Sequence, residues 1–182
     1  MDNRQMVKLS KRLARHLRHD PAALGITLGP GGWVEVRSLL AALRGDGVRI
    51  TRADLEEVVA GNDKQRFAFD ATGERIRANQ GHSVEIDLGL PATTPPAVLY
   101  HGTVERFLSA IFHEGLRPMN RHDVHLSPDR ETAVRVGSRR GKPVVLEVDA
   151  GAMSREGHEF RVSANGVWLT AAVPPEFLRR IG

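Results

Sequence analysis

An apolar stripe at helical spacing opens the chain and predicts a first helix. The stripe consists of Met6, Leu9, Leu13 and Leu17. Residues three and four positions apart lie on one face of a helix. The helix is expected to end at Asp20, because the residue before Pro21 avoids the helical region.

Two further helices are predicted before residue 62. Ser38 is placed to cap a helix that carries the leucines of residues 39–43. Thr51 and Asp54 have the spacing of a capping box, which opens a third helix, and Gly61 is placed to close it.

A hairpin follows these helices. Phe67 and Phe69 alternate with polar neighbours as in a half-buried strand, "ATGE" supplies a turn, and Ile76 lies on the return strand. Helices followed by a two-stranded hairpin predict a winged helix, a fold often used on nucleic acids.

The sequence then changes character. "LGLPATTPPAV", residues 88–98, is rich in proline and threonine and lacks charge, which is typical of an extended linker. It separates a predicted lobe of residues 1–90 from a second lobe of residues 97–182.

Short strands dominate the second lobe. Strands are predicted at "AVLYHGT", "DVHLS" and "PVVLEVD", and "EFRVS" with "GVWLT" makes a hairpin around Ala164 and Asn165. One helix is expected over residues 104–113, ended by Gly115, and another after a cap at Ser127 before Pro128. The predicted fold class is therefore α+β.

Composition limits the chemistry. The 182 residues include no cysteine, which excludes disulfides and thiolate metal sites. No stretch reaches the apolar length of a membrane span, and the first residues are polar and basic, so we expect a cytoplasmic protein.

The positive charges are clustered. One group has no acidic residue among its members: Arg4, Lys8, Lys11, Arg12, Arg15 and Arg18. A second group is diluted by acids: Arg117, Arg121, Arg130, Arg135, Arg139, Arg140 and Lys142. Such clusters favour phosphate partners, although a solvated helix face gives the same pattern.

Three polar motifs in the first lobe are candidates for chemistry. Arg18 and His19 lie at the predicted end of a helix, where the dipole favours cations and a protonated imidazole, and for this motif taken alone simple helix capping is the favoured explanation. Lys64 and Arg66 are expected on one face of the first hairpin strand, which a solvated face also explains. "RANQGHS" is by itself only a polar turn.

The second lobe offers a ligand-binding strand end. At His101, Gly102 and Thr103, the glycine lets backbone groups approach a ligand, and the imidazole and hydroxyl can bond to a ribose. His122 and His125 are not predicted to hold a metal, since zinc requires three or four ligands and no cysteine or carboxylate cluster supports them. The sequence has no P-loop, Rossmann fingerprint or nucleophile elbow.

Taken in order, the motifs resemble the NAD-dependent RNA 2′-phosphotransferase family over nearly the whole chain. They are "LSKRLARHLRHDP", "DKQRF", "RANQGHS", "YHGT", "VHLS", "GKPVVLEVD" and "NGVWL". The resemblance implies an N-terminal winged-helix RNA lobe followed by a C-terminal ADP-ribosyltransferase-like NAD lobe.

The resemblance also implies a two-step reaction. The RNA 2′-phosphate attacks the anomeric carbon of the nicotinamide ribose and expels nicotinamide. The ribose 2″-hydroxyl then attacks phosphorus, which releases RNA with a free 2′-hydroxyl and ADP-ribose 1″,2″-cyclic phosphate. The implied partners are NAD as co-substrate and a tRNA-like RNA with a 2′-phosphate, with no metal, membrane or protein partner.

The predicted site residues fall into three groups, of which the resemblance implies the catalytic residues and, among the NAD-binding residues, His101, Gly102, Thr103 and His125. The catalytic residues are Arg18, His19, Arg66 and Arg121. The NAD-binding residues are His101, Gly102, Thr103, His125, Val167 and Arg139. The RNA-phosphate-binding residues are Lys64, Arg15, Arg12 and His82.

Two positions depart from the family pattern and one departs from related enzymes. The family reads Arg-His-Gly where this chain has Arg140 in the middle position, and it often has histidine at Asp123. Many protein ADP-ribosyltransferases carry a glutamate, which engages the ribose 2″-hydroxyl, on the strand that aligns with "GVWLT", where this chain has Val167. When the nucleophile is a phosphate anion, a carboxylate beside it would repel the substrate.

Two other functions remain open at this point. An ADP-ribosyltransferase could modify nucleic-acid ends or protein, but Val167 and the Arg-His pair argue against protein as the main acceptor. A winged-helix regulator with an NAD-sensing lobe would bind NAD without releasing nicotinamide.

Overall fold

A computed structural model describes residues 1–62, 64–84, 87–119 and 121–182. The chain forms two compact units, residues 1–89 and residues 90–182. In the first unit, helices cover a small sheet; in the second, two small antiparallel sheets combine with three short α-helices. The predicted α+β class is confirmed.

The first helix, α1, spans Asn3–Ala14 and is opened by a capping box between Asp2 and Gln5. The predicted stripe packs inward, since Leu9, Leu13 and Leu17 are buried and Met6 packs against them. Beyond α1 the chain does not unwind but continues as a π-helical turn, Arg15–His19.

The next two helices are α2, Val36–Gly45, and α3, Arg52–Ala60. The prediction that Ser38 caps α2 is wrong, because the helix already begins at Val36 with Glu35 as its N-cap. The predicted capping box of Thr51 and Asp54 on α3 is confirmed, and α3 ends at Gly61.

Three strands form the sheet of the first unit: β1, Val34–Glu35; β2, Phe67–Phe69; and β3, Arg75–Ala78. The predicted hairpin of β2 and β3 is confirmed, with Phe69 opposite Ile76. Strand β1 pairs with the other side of β3. The placement of Lys64 and Arg66 on the first hairpin strand is wrong, because that strand begins only at Phe67.

One sheet of the second unit has the order β4-β6-β9. Its strands are β4, Leu99–Val104; β6, Pro143–Val148; and β9, Leu178–Arg180, all paired antiparallel. The other sheet has the order β5-β8-β7. Its strands are β5, Val124–Leu126; β7, Arg161–Val162; and β8, Trp168–Thr170. Tyr100 and Ser127 exchange two backbone hydrogen bonds of 2.9 and 2.8 Å, which joins β4 to the chain just after β5.

The helices of the second unit are α4, Leu108–Glu114; α5, Arg130–Ser138; and α6, Ala150–Arg155. A 3₁₀ turn, Glu105–Phe107, replaces the start of the helix expected over residues 104–113, and Gly115 ends α4 as predicted. The cap predicted at Ser127 is wrong, since the side chain of Asp129 accepts a hydrogen bond from the Thr132 amide and caps α5. In the described part of the chain, no helix is long and apolar enough to cross a membrane.

Candidate functional site

Arg18 and His19 lie on the π-helical turn that ends the first helical stretch. The Asp20 amide donates to the Arg15 carbonyl five residues earlier, at 2.9 Å, which closes the wider turn. Single π turns inside or at the end of α-helices occur often at functional sites, because the extra residue redirects the side chains that follow. The Arg18 side chain is buried and the His19 side chain is exposed.

A second stretch of chain, residues 79–83, packs on this turn. The Ser83 amide donates to the Arg18 carbonyl at 2.8 Å, and the Ser83 Oγ lies 2.9 Å from His19 Nδ1. Gly81 adopts a φ of +88°, and a Cβ there would lie 3.4 Å from Arg18 Nε, an ordinary van der Waals distance. The positive φ is therefore what favours glycine at residue 81.

The same 79–83 segment holds Arg66. The Asn79 amide donates to the Arg66 carbonyl at 2.9 Å, and Asn79 Nδ2 donates to the Gln65 carbonyl at 2.6 Å. Gln65 has a φ of +45°, which is uncommon for a residue with a side chain. The structure thus ties three predicted catalytic residues of the first unit, Arg18, His19 and Arg66, to one short segment.

The residues expected to bind RNA phosphate have different surroundings. His82 is buried within the 79–83 segment, and Lys64 is exposed in the turn before β2. Arg12 forms an ion pair with Asp46, so an RNA phosphate would compete with that carboxylate. Arg15 is 67 % exposed and lies 3.8 Å from the Asp20 carboxylate, which leaves it more accessible.

In the second unit, His101 lies on β4 with its Nδ1 3.2 Å from the His125 carbonyl oxygen. A carbonyl only accepts, so Nδ1 carries the hydrogen and Nε2 is an acceptor. The pKa of His101 is lowered, mainly because the ring is buried and also because Arg140 is positively charged, while the bond to the His125 carbonyl opposes this. His101 is therefore neutral near pH 7.

His125 has the opposite arrangement. Its Nδ1 lies 2.6 Å from Arg121 Nη1, and a guanidinium can only donate, so Nδ1 accepts and Nε2 carries the hydrogen. Val124 and Leu126 are buried, which directs His125 to the other face of β5. The unit thus presents one imidazole acceptor and one imidazole donor, a combination suited to hydroxyl groups of a sugar.

The packing of α5 against β4 explains why residue 102 is glycine. A Cβ at this position would lie 1.8 Å from the Ala133 carbonyl oxygen of α5 and 2.8 Å from the Gly137 amide nitrogen. Helix α5 therefore rests directly on β4, with the side chain of Thr103 buried beside it. The sequence argument, that the glycine opens the strand to a ligand, did not anticipate this contact.

Val167 and Arg139 are placed at the ends of elements. The Val167 amide donates to Ser163 Oγ at 3.2 Å and its carbonyl accepts from the Ser163 amide at 2.9 Å, which closes the hairpin before β8. Arg139 is exposed at the C-cap of α5. The positive charge that acts on His101 belongs to the next residue, Arg140.

Sequence reasoning gave no individual role to Asn79, Ser83 or Arg140. Asn79 and Ser83 lie in the quoted "RANQGHS" motif, and Arg140 is the position that departs from the family pattern. The motif and the departure were both visible in the sequence, but neither indicated what these residues do. No group of three His, Asp or Glu side chains that could hold a metal ion occurs within residues 1–62, 64–84, 87–119 and 121–182.

Comparison with known proteins identifies the family. The sequence profile described as "RNA 2′-phosphotransferase, Tpt1 / KptA family" matches residues 4–172. The chain belongs to this family. Among its relatives, "probable RNA 2′-phosphotransferase" of Streptomyces coelicolor is 62 % identical over 98 % of this chain and 97 % of the relative. Proteins of the same description from Trichormus variabilis and Herpetosiphon aurantiacus are 56 % and 54 % identical, each over 98 % of both chains. As a member of the RNA 2′-phosphotransferase family, the protein is a transferase, and the family name gives RNA as its substrate class.

Proposed function

We propose that the protein removes an internal 2′-phosphate from RNA by transferring it to NAD. In this proposal, residues 1–90 act as a winged-helix RNA lobe and residues 97–182 as an ADP-ribosyltransferase-like NAD lobe. Family membership supports the RNA reaction. The observation that carries the assignment of residues is that each unit has an arginine close to a histidine whose ring is hydrogen-bonded. Arg18 precedes His19 on the π-helical turn, where Ser83 holds the His19 ring, and Arg121 is bonded to the ring of His125.

The first step joins RNA to ADP-ribose. The RNA 2′-phosphate oxygen forms a bond to the anomeric carbon of the nicotinamide ribose, and the bond to nicotinamide breaks. Nicotinamide leaves as a neutral base, so this step requires no proton donor. In the proposal, His101 Nε2 accepts from a hydroxyl of the NAD ribose and His125 Nε2–H donates to one, with Gly102, Thr103, Val167 and Arg139 completing the NAD site.

The second step transfers the phosphate. The ribose 2″-hydroxyl forms a bond to phosphorus and loses its proton, while the bond from phosphorus to the RNA 2′-oxygen breaks and that oxygen gains a proton. Negative charge builds on the phosphoryl oxygens, where arginine contacts stabilise it. Arg66 with Lys64 is assigned to these oxygens, and His19 is assigned as the proton donor.

The test is to incubate the protein with NAD and an oligonucleotide that carries one internal 2′-phosphate, and to measure nicotinamide release and both final products. The proposal expects nicotinamide, 2′-hydroxyl RNA and ADP-ribose 1″,2″-cyclic phosphate in equal amounts. An ADP-ribosylated end that persists would indicate nucleic-acid ADP-ribosylation instead, and binding of NAD without release of nicotinamide would indicate an NAD sensor.

Turnover is expected to require NAD but no divalent metal. Arginine and histidine are assigned to the charge stabilisation for which other phosphoryl-transfer enzymes use Mg²⁺. The rate of 2′-phosphate removal should be unchanged after dialysis against EDTA. Loss of activity in EDTA with recovery on adding Mg²⁺ would show this prediction to be wrong.

RNA binding should weaken as salt rises. Each contact between an arginine and a phosphate of single-stranded RNA contributes roughly −0.7 to the slope of log affinity against log salt. Arg15→Ala should make the slope shallower by about that amount, and Arg12→Ala by less because Arg12 is paired with Asp46. Arg37, an exposed arginine of α2 outside the proposed site, is the matched control. Equal slopes for Arg15→Ala and Arg37→Ala would remove Arg15 from the RNA-binding surface.

Acid should weaken the second unit through His101. Its pKa is lowered below the ordinary value of 6.5, so the unfolded chain binds this proton more readily than the folded one. The contribution of neutral His101 to the free energy of unfolding is complete above pH 6.5. It is lost as the pH falls from 6.5 through the pKa of His101 in the folded protein. Urea unfolding across this range should show a shallower pH dependence for His101→Gln than for the unsubstituted protein.

In an NMR titration, Arg140→Ala should move the His101 midpoint upward, and an unchanged midpoint would contradict the assigned effect of Arg140.

A further inference from the structure

The 79–83 segment is more deeply buried than a polar turn needs to be. Asn79, Gln80 and His82 are 4 %, 8 % and 3 % exposed, and Gly81 is buried between them. Burying polar groups costs free energy unless hydrogen bonds compensate. The bonds of Asn79 to the carbonyls of residues 65 and 66 hold one end of the segment, whereas Asn79 Oδ1 and Gln80 Oε1 have no hydrogen-bond partner among the described residues.

Ser83 ends this segment and contacts two consecutive residues of the π-helical turn. Its amide holds the Arg18 carbonyl, and its hydroxyl oxygen lies 2.9 Å from His19 Nδ1. One residue thereby fixes both the backbone that carries the imidazole and the rotation of the ring. Ser83 is itself exposed, so its hydroxyl is not required to fill the core.

We propose that Ser83 is a positioning residue that assigns the two ring nitrogens of His19. This proposal rests on the proposed function, in which His19 is an imidazolium that gives up a proton. An imidazolium carries hydrogen on both ring nitrogens. Nδ1–H then donates to the Ser83 Oγ, which accepts. Nε2 is thereby the nitrogen assigned to the departing RNA 2′-oxygen, and the ring keeps its orientation after the proton has left.

Activity measurements separate positioning from a merely structural role. Ser83→Ala should slow the decay of the RNA 2′-phospho-ADP-ribose adduct by about tenfold, the lower end of the loss that follows removal of the partner orienting a metal-binding histidine. Formation of the adduct, which needs no proton donor, should change by less than about twofold. Ser83→Thr retains the hydroxyl and should restore decay. Ser38→Ala, at another exposed serine of the same unit, is the control.

The rate of adduct decay is measured in single turnover as a function of pH. A displaced pH profile for Ser83→Ala, restored in Ser83→Thr, supports the proposal. Decay with an unchanged rate and pH profile in Ser83→Ala overturns it, as does a Ser83→Thr enzyme as slow as Ser83→Ala.

A second measurement does not depend on turnover. With ¹⁵N-labelled histidine, the NMR spectrum of the unsubstituted protein should show neutral His19 with its hydrogen on Nδ1, and Ser83→Ala should shift the population towards Nε2–H. The same tautomer in both proteins overturns the proposal. If the unsubstituted protein neither releases nicotinamide nor forms an adduct, the proposed function fails, and the NMR comparison still decides whether Ser83 sets the tautomer.

Discussion

Arg66→Ala and His19→Ala enzymes should accumulate RNA 2′-phospho-ADP-ribose during turnover. The first step uses a nucleophile that is already an anion and a leaving group that departs neutral, so it makes little demand on either side chain. The second step builds charge on the phosphoryl group and must protonate an RNA oxygen. Removing the proton donor from such a step costs about 100-fold or more, so adduct decay should slow by that factor in His19→Ala. In Arg66→Ala, loss of charge stabilisation on the phosphoryl oxygens should slow decay by about 100-fold as well. Adduct formation should continue in both variants.

The measurement is a single-turnover time course in which RNA species are resolved by gel or mass spectrometry and nicotinamide is quantified in parallel. Arg37→Ala, at an exposed arginine of α2, is the charge-matched control for Arg66→Ala and should behave as the unsubstituted enzyme. If Arg66→Ala and His19→Ala release no nicotinamide and form no adduct, both residues belong to substrate binding or to the first step.

In the Gly102→Ala variant, the second unit should unfold far more readily than it does in the unsubstituted protein. The new methyl carbon would lie 1.8 Å from the Ala133 carbonyl oxygen. Because that oxygen is a backbone atom, rotating a side chain cannot relieve the clash. The helix must move off the strand, which costs about 3 kcal/mol, at the upper end of the usual range for overpacking. Urea unfolding followed by circular dichroism gives the change in free energy.

The control for this substitution is Gly45→Ala. Gly45 ends α2, and a Cβ there meets no atom within 4 Å, so its alanine variant should lose no stability.

NAD binding by Gly102→Ala distinguishes the two explanations for glycine at residue 102, helix packing and ligand approach. A variant that unfolds at the same urea concentration as the unsubstituted protein but no longer binds NAD would show that the glycine serves ligand approach, not helix packing.

Elements with a strong local signal were predictable. The capping box at Thr51, the hairpin at Phe67 and Phe69, and strand β4 each follow from residues close together in sequence. Strands β1 and β9 were missed because two or three residues carry no measurable alternation and exist only by pairing with β3 and β6. Ser38 and Ser127 were mistaken for caps because the true caps, Glu35 and Asp129, lie within three residues of them.

The contacts of the predicted site residues could not be read from the sequence. The sequence singled out Arg18 and His19 as neighbours on a helix, but it could not show the π-helical turn, which depends on packing against a distant segment. The contact between His19 and Ser83 joins residues 64 positions apart. The opposite tautomers of His101 and His125 likewise follow from hydrogen bonds that only the folded chain defines.

The most direct test of the central claim follows the phosphorus atom. RNA with a single ³²P-labelled internal 2′-phosphate is incubated with the protein and NAD, and the labelled products are separated by chromatography. The proposed transfer predicts that all released label is found in ADP-ribose 1″,2″-cyclic phosphate, with one nicotinamide formed for each phosphate removed. Label released as inorganic phosphate, or released at the same rate without NAD, would contradict the proposed function.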